Sequence, residues 1–286
     1  MLQALRRPLA VSCAWLALWA PPAAAITGGS VAQNPDGIRS SVVQIESSRG
    51  ELCSGAVIAP DLVLTAAHCV LQQASYRVVV VDRRFRRITV KAVAAAMHPE
   101  FVAGTTPRNQ PGIDLAIIKL ARPLGPDFIP LDPARAPEVG PGEQVDLAGF
   151  GLSAENKRGS ARVLREARLL SLGTLQVANR VLVVADGQRL AETTGAGACR
   201  GDSGGPIVRG RPGQYQLLGI VSWSSGALRS RVATACGGIT AVTPVAEHND
   251  WIAERSSELH RFVGDRGLAR DAYSSGSRSG YDWSAR

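Results

Sequence analysis

Gly201-Asp202-Ser203-Gly204-Gly205-Pro206 is the stretch from which the rest of the chain can be read. A serine hydroxyl is a poor nucleophile by itself. It needs a base within hydrogen-bond reach, a group that orients the base, and donors for the oxyanion that develops. Glycines on both sides of Ser203 let the backbone turn sharply, so that the N–H groups of Gly201 and Ser203 can point at one spot. A lone Gly-x-Ser-x-Gly also fits the nucleophile elbow of α/β-hydrolases, which demands a helix straight after the serine. Here Pro206-Ile207-Val208 follows, and it reads as a strand. The elbow also wants an acid and then a histidine downstream. Asp250 and His260 have that order but lie in a polar C-terminal segment, so the elbow is set aside.

The base and its orienter lie upstream. Thr65-Ala66-Ala67-His68-Cys69 follows an apolar run, Leu62-Val63-Leu64, and Asp114 heads another, Leu115-Ala116-Ile117-Ile118-Lys119-Leu120. His68 would take the serine proton, and Asp114 would orient the imidazole and stabilise its charged form. The other histidines are less suggestive: His98 precedes Pro99 in a loop, and His248 and His260 fall in the C-terminal segment. The order His68, Asp114, Ser203 is that of chymotrypsin. With these three motifs in this order, the sequence resembles the trypsin/chymotrypsin family of serine endopeptidases from about Ile26 to Trp251. The resemblance implies an all-β fold: two six-stranded antiparallel Greek-key β-barrels with the active site in the cleft between them, plus a C-terminal helix.

The local patterns point the same way. Short strand-like runs punctuated by Gly, Pro and Asp favour a sandwich or barrel. They are Ser41–Ile45, Ala56–Ile58, Tyr76–Val81 and Arg87–Val90, then Gln144–Leu147, Ala161–Leu172, Val181–Val184, Gln216–Trp223 and Ile239–Val242. Residues 121–143 carry Pro123, Pro126, Pro130, Pro133, Pro137 and Pro141; such a stretch cannot be a central strand and reads as the crossover between two halves. Val245–His260 is expected to be a helix, and residues 263–286 a flexible Ser/Gly/Arg-rich tail. The protease domain is thus expected over 26–262, with a first barrel at about 26–122 and the second barrel and helix at about 144–262.

Residues 1–25 read as a signal peptide: Arg6-Arg7, an apolar run from Leu9 to Ala20, and an A-x-A site at Ala23-Ala24-Ala25. The run is too short for a stable membrane anchor. Arg6-Arg7 is also a faint twin-arginine signal. A secreted or periplasmic protein is expected, hence an oxidising compartment. Apart from Cys13 in the leader, four cysteines remain, which allow three connectivities. Zinc is the rival use of four cysteines, but no C-x-x-C pair or His cluster accompanies them, and no metal or organic cofactor is expected. The family pattern selects Cys53 with Cys69, bracing His68, and Cys199 with Cys236, bracing the substrate pocket.

The resemblance also implies roles around the cleft. Cleavage after Ala25 gives Ile26-Thr27-Gly28-Gly29, similar to the family's mature start, whose ammonium pairs with the aspartate before the nucleophile, here Asp202. No propeptide fits between leader and Ile26, so signal cleavage itself is expected to give the active form. Gly201 and Ser203 supply the oxyanion donors. Ser222 donates to the buried Asp114, and its segment pairs with substrate backbone. Substrate contacts fall on Gly197, Ala198, Arg200, Ser222, Trp223, Ser224 and Gly238. Gly197 lies where the family places the pocket floor, so no carboxylate awaits a basic side chain and trypsin-type cleavage is disfavoured. Ser224, where the family usually has glycine, is expected to narrow the slot for small or medium apolar residues. Arg200, with Arg229 and Arg231 in an apparent insertion at 227–235, keeps an acidic preference open.

The formal charge is +8, two of it from Arg6 and Arg7, and only Lys91, Lys119 and Lys157 among the 32 basic residues are lysine. That skew fits a GC-rich bacterial genome. Arg83, Arg84, Arg86 and Arg87 around Phe85 read either as a solvated hairpin face or as an exosite for polyanions. Nothing resembles a nucleic-acid module. The expected partners are a protein or peptide substrate and a proteinaceous inhibitor, with the protein itself a monomer. The second functional reading is a homologue that binds without cutting; such proteins have usually lost a triad residue, and here His68, Asp114 and Ser203 are all present.

Overall fold

A computed structural model describes residues 26–262 and 280–282; the leader, and with it the expected signal peptide and cleavage site, lies outside the described residues. Isolated β-ribbons cannot bury their apolar faces, whereas a closed barrel has no free edges. The first barrel comprises β2 (Val42–Ser47), β3 (Leu52–Ala59), β4 (Leu62–Thr65), β5 (Tyr76–Val81), β6 (Arg87–Met97) and β7 (Ala116–Leu120). They run β6-β5-β2-β3-β4-β7, and β6 closes on β7. The second comprises β8 (Gln144–Gly149), β9 (Arg165–Gln176), β10 (Arg180–Ala185), β11 (Pro206–Arg209), β12 (Gln216–Ser224) and β13 (Thr240–Pro244). Here the order is β9-β10-β13-β12-β11-β8, and β8 closes on β9. All these pairings are antiparallel. The expected pair of six-stranded barrels is therefore what the chain forms.

Period-two patterning selects the inward faces. In β9, Arg165, Ala167, Leu169 and Ser171 are buried while Arg168 and Leu172 face outward. The first core gathers Val43, Ile45, Leu64, Val78, Val90 and Ile117; the second gathers Val145, Leu147, Leu169, Leu182, Ile207 and Val242. Residues 121–143 hold one 3-10 turn (Pro133–Arg135) and otherwise irregular chain, as their prolines require.

Several boundaries differ from the sequence reading. Ala161–Leu164 are not strand; Arg162 adopts a left-handed φ of 73°, which ends any extended run before Arg165. The terminal helix α1 is Asn249–Arg261, preceded by a 3-10 turn at Ala246–His248. The chain ends also exchange halves. β1 (Ser30–Val31) pairs with β9 in the second barrel. Conversely, α1 sends Ile252 and Leu259 into the first core, and His260 lies 3.3 Å from Asp61 beside β4. Of the expected tail, only β14 (Gly280–Asp282) is described, and it lies along β6 at Ala94–Ala96. No helix among the described residues is long and apolar enough to cross a membrane.

The arginine cluster forms the turn between β5 and β6. Asp82 accepts the N–H groups of Arg84 and Arg86 and pairs with the Arg86 guanidinium, Arg83 pairs with Asp36, and Arg39 stacks on Phe85 at 3.9 Å.

Candidate active site

His68 lies on a 3-10 turn (Ala67–Cys69) immediately after β4, and Asp114 lies just before β7, the neighbour of β4. Strand pairing therefore brings two residues 46 positions apart into contact. His68 Nδ1 is 2.8 Å from Asp114 Oδ2, and the His68 backbone N–H donates to Asp114 Oδ1 at 3.0 Å. Asp114 is fully buried, whereas His68 keeps 21% of its side chain exposed. Burial alone would push the Asp114 carboxyl up, but the His68 charge and the bonds from His68 and Ser222 hold it below the usual range. Burial likewise pulls the His68 imidazole down, and the Asp114 charge and hydrogen bond more than reverse this, leaving it raised.

The third bond to this carboxylate depends on a β-bulge. In the β12–β13 ladder Val221 faces Val242 and Trp223 faces Ala241, so Ser222 is the extra residue. Its hydroxyl is thereby aimed at Asp114 Oδ2, to which it donates at 2.5 Å.

Ser203 arrives from the second half on a turn pressed against the first. Ser54 in β3 holds that turn: its N–H donates to Ser203 O at 2.8 Å, and its hydroxyl donates to Gly201 O at 2.9 Å. The same hydroxyl accepts from Phe150 N–H at 2.9 Å. A side chain at Gly204 would meet Thr65 Oγ1 and Ser54 O at about 2 Å, so only glycine lets the barrels approach this closely. Gly201 takes a φ of 95°. Among the described residues neither the Gly201 N–H nor the Ser203 N–H has a protein acceptor. The Ser203 hydroxyl faces Ser222 O at 3.5 Å rather than forming a hydrogen bond with His68.

Asp202 is fully buried and accepts from Gly151 N–H at 2.8 Å and Cys199 N–H at 2.9 Å. Burial pushes its carboxyl up to about 7, against those two bonds and the Arg165 charge. Ile26 is also buried, packed in the second core with Ala198, and Thr27 bridges to Gly197. Both disulfides are formed, Cys53–Cys69 beside His68 and Cys199–Cys236 beside the Ser203 turn.

Comparison with known proteins gives the same assignment: residues 26–252 match the family described as Trypsin. The chain belongs to the trypsin family of serine-type endopeptidases. It is 32% identical to human granzyme M over 228 residues, covering 74% of this chain and 82% of that protein. It is 31% identical to human serine protease 56 over 258 residues, covering 81% of this chain and 39% of that longer protein. The solved structure of human heparin binding protein matches with a TM-score of 0.59 at 23% identity, covering 80% of this chain and 96% of that one, a likeness of fold.

In this trypsin-family chain the pocket segments expected from the sequence lie together. Gly197 faces Gly237 and Gly238, and Gly238 in turn lies against Gly226, so the walls are largely backbone. Ala198 is buried and belongs to the second core cluster. The Ser224 hydroxyl is engaged across the walls, donating to Ala235 O at 2.6 Å. Leu228 N–H bonds to Ala191 O, and Arg229 pairs with Glu192, so the 227–235 segment docks on the 190–192 loop. Arg108 lies over the Trp223 ring at 5.4 Å. Sequence reasoning missed Ser54, Gly226 and Ala235. Only Ser54, beside a motif cysteine, left a trace that could have been followed.

Proposed function

We propose that this protein is a secreted serine endopeptidase that cuts peptide bonds through an acyl-enzyme on Ser203. One observation carries the proposal: a buried carboxylate, Asp114, holds the part-exposed His68 imidazole beside a serine whose turn offers two N–H donors with no acceptor among the described residues. The network assigns the His68 proton to Nδ1, leaving Nε2 as the base. For attack, the Ser203 hydroxyl must leave Ser222 O and donate to His68 Nε2. Attack on the scissile carbonyl then passes the hydroxyl proton to His68 and places negative charge on the carbonyl oxygen, where Gly201 and Ser203 donate. The imidazolium protonates the leaving amine, and water repeats the sequence to release the acid.

A pocket of glycine backbone without a carboxylate supports small or medium apolar residues at the cut. Protein or peptide substrates, and a proteinaceous inhibitor seated in the same cleft, are the partners, and the protein acts as a monomer outside the cytoplasm. Cleavage before Ile26 completes the site. Ile26 has a φ of 45°, a region β-branched residues rarely occupy, and loss of the preceding carbonyl removes that conflict. The freed ammonium supplies a counter-charge to Asp202.

A fluorophosphonate probe tests the proposal directly. Labelling of the secreted chain, lost in Ser203→Ala, and a peptide-library digest lost in the same variant are expected. An unlabelled chain with intact fold means a binding protein instead. N-terminal sequencing of active material must return Ile26.

A further inference from the structure

One side chain outside every motif draws the pocket rim together. Glu155, in the loop between β8 and β9, accepts from Ala235 N–H at 2.8 Å through Oε2 and from Arg200 Nε at 2.5 Å through Oε1. Arg200 follows Cys199 and Ala235 precedes Cys236, so one carboxylate grips the chain on both sides of that disulfide. Because Ser224 already holds Ala235 O, this residue is fixed through both its backbone polar groups. Burial pushes the Glu155 carboxyl up, but the Ala235 bond and Arg200 outweigh it and keep it ionised. Its side chain is 26% exposed, against 68% for Arg200.

Arg200 stands directly before Gly201, one of the two oxyanion donors in the peptidase reading. A guanidinium there is a natural partner for an acidic side chain beside the cut. Glu155 is in its way. Arg229, in the 227–235 segment with Arg231, is likewise paired, with Glu192.

We propose that Glu155 is a positioning residue that sets the charge preference of the pocket. It holds the rim at Ala235 and neutralises Arg200, so uncharged residues beside the cut are favoured over acidic ones. This rests on the peptidase reading above and resolves its open choice between apolar and acidic substrates.

The test compares paired peptides that differ only in Ala or Leu against Asp or Glu at the residue before the cut, as ratios of kcat/KM. Glu155→Gln keeps an acceptor for Ala235 N–H but removes the charge. It is expected to raise the acidic-to-neutral ratio by about tenfold, the lower end of what a hydrogen bond to a charged group contributes. Arg200→Gln, at an exposed side chain, leaves the Glu155 carboxylate without its counter-charge and should lower the ratio. The double variant should abolish the gain. Because a purely structural role for Glu155 would lower both classes equally, the ratio separates the two. An unchanged ratio in Glu155→Gln, a rise in Arg200→Gln, or a gain that survives in the double variant overturns the proposal. Binding of the same peptides to Ser203→Ala forms of each variant gives the ratio without turnover. An unsubstituted chain that never cuts, with the affinity shift intact, refutes the peptidase reading alone.

Discussion

Asp202 offers a direct measure of what cleavage before Ile26 does. In the uncut chain burial raises its carboxyl from 3.8 to about 7. A folded-state value above the unfolded one means that the folded state binds the proton more tightly. Stability is therefore full below about pH 4 and declines as pH rises through the folded-state value near 7. The displacement is worth about 4 kcal/mol for this fully buried group. A free ammonium at Ile26 would restore the charged form and erase most of the loss. The assay is urea unfolding at pH 4.5, 6 and 7.5 for a chain starting at Ile26 and for one extended by Ala25. The extended chain should lose stability across this range relative to the trimmed one by up to about 3 kcal/mol, the rest being lost below pH 4.5. Taking the difference cancels every group that titrates alike in both forms. Asp202→Asn should abolish the divergence. Parallel pH profiles for the two chains, or a divergence that survives Asp202→Asn, would refute the reasoning.

The active-site network makes further demands. Because Asp114 holds the His68 imidazole above its ordinary 6.5, and catalysis needs it neutral, kcat/KM should rise with pH through a midpoint above 6.5. Asp114→Asn should slow acylation by about 10⁴-fold while leaving labelling specific to Ser203. Ser222→Ala removes a donor from a buried carboxylate and should cost about 1–3 kcal/mol, read as a fall in kcat/KM with little change in peptide affinity. His98 is buried against His248 at 5.3 Å and Trp251 at 4.8 Å, and burial followed by the His248 charge lowers it to about 4. It must fold neutral, so its contribution is present above pH 6.5 and lost as pH falls toward 4, by about 3 kcal/mol. His98→Gln should flatten the acid side of the melting profile; an unchanged profile would contradict this.

What the sequence reveals here is what lies contiguous along it. The nucleophile turn, the His68 turn and Asp114 each carry their own local signature, and period-two runs such as β9 announce both strand and inward face. The disulfide partners followed from family pattern, and the bonded pairs agree with it. The rest depends on register between distant segments. Glu155 meets Ala235 across 80 positions and Ser54 meets Gly201 across 147, and neither residue type advertises its partner. The bulge that isolates Ser222 is visible only when β12 is laid against β13. Ala198 sits in a segment matched to the pocket, and its burial within the second core appears only once the barrel is closed.

The exchange of chain ends has a consequence for how such a protein can be divided. A cut in the proline-rich crossover would leave the front fragment without the helix that seals its base. The back fragment would lack the strand that borders its sheet. Each piece would expose apolar surface shaped only for its sibling, so neither should persist alone. Mixed together, they should reassemble into a nicked, working whole.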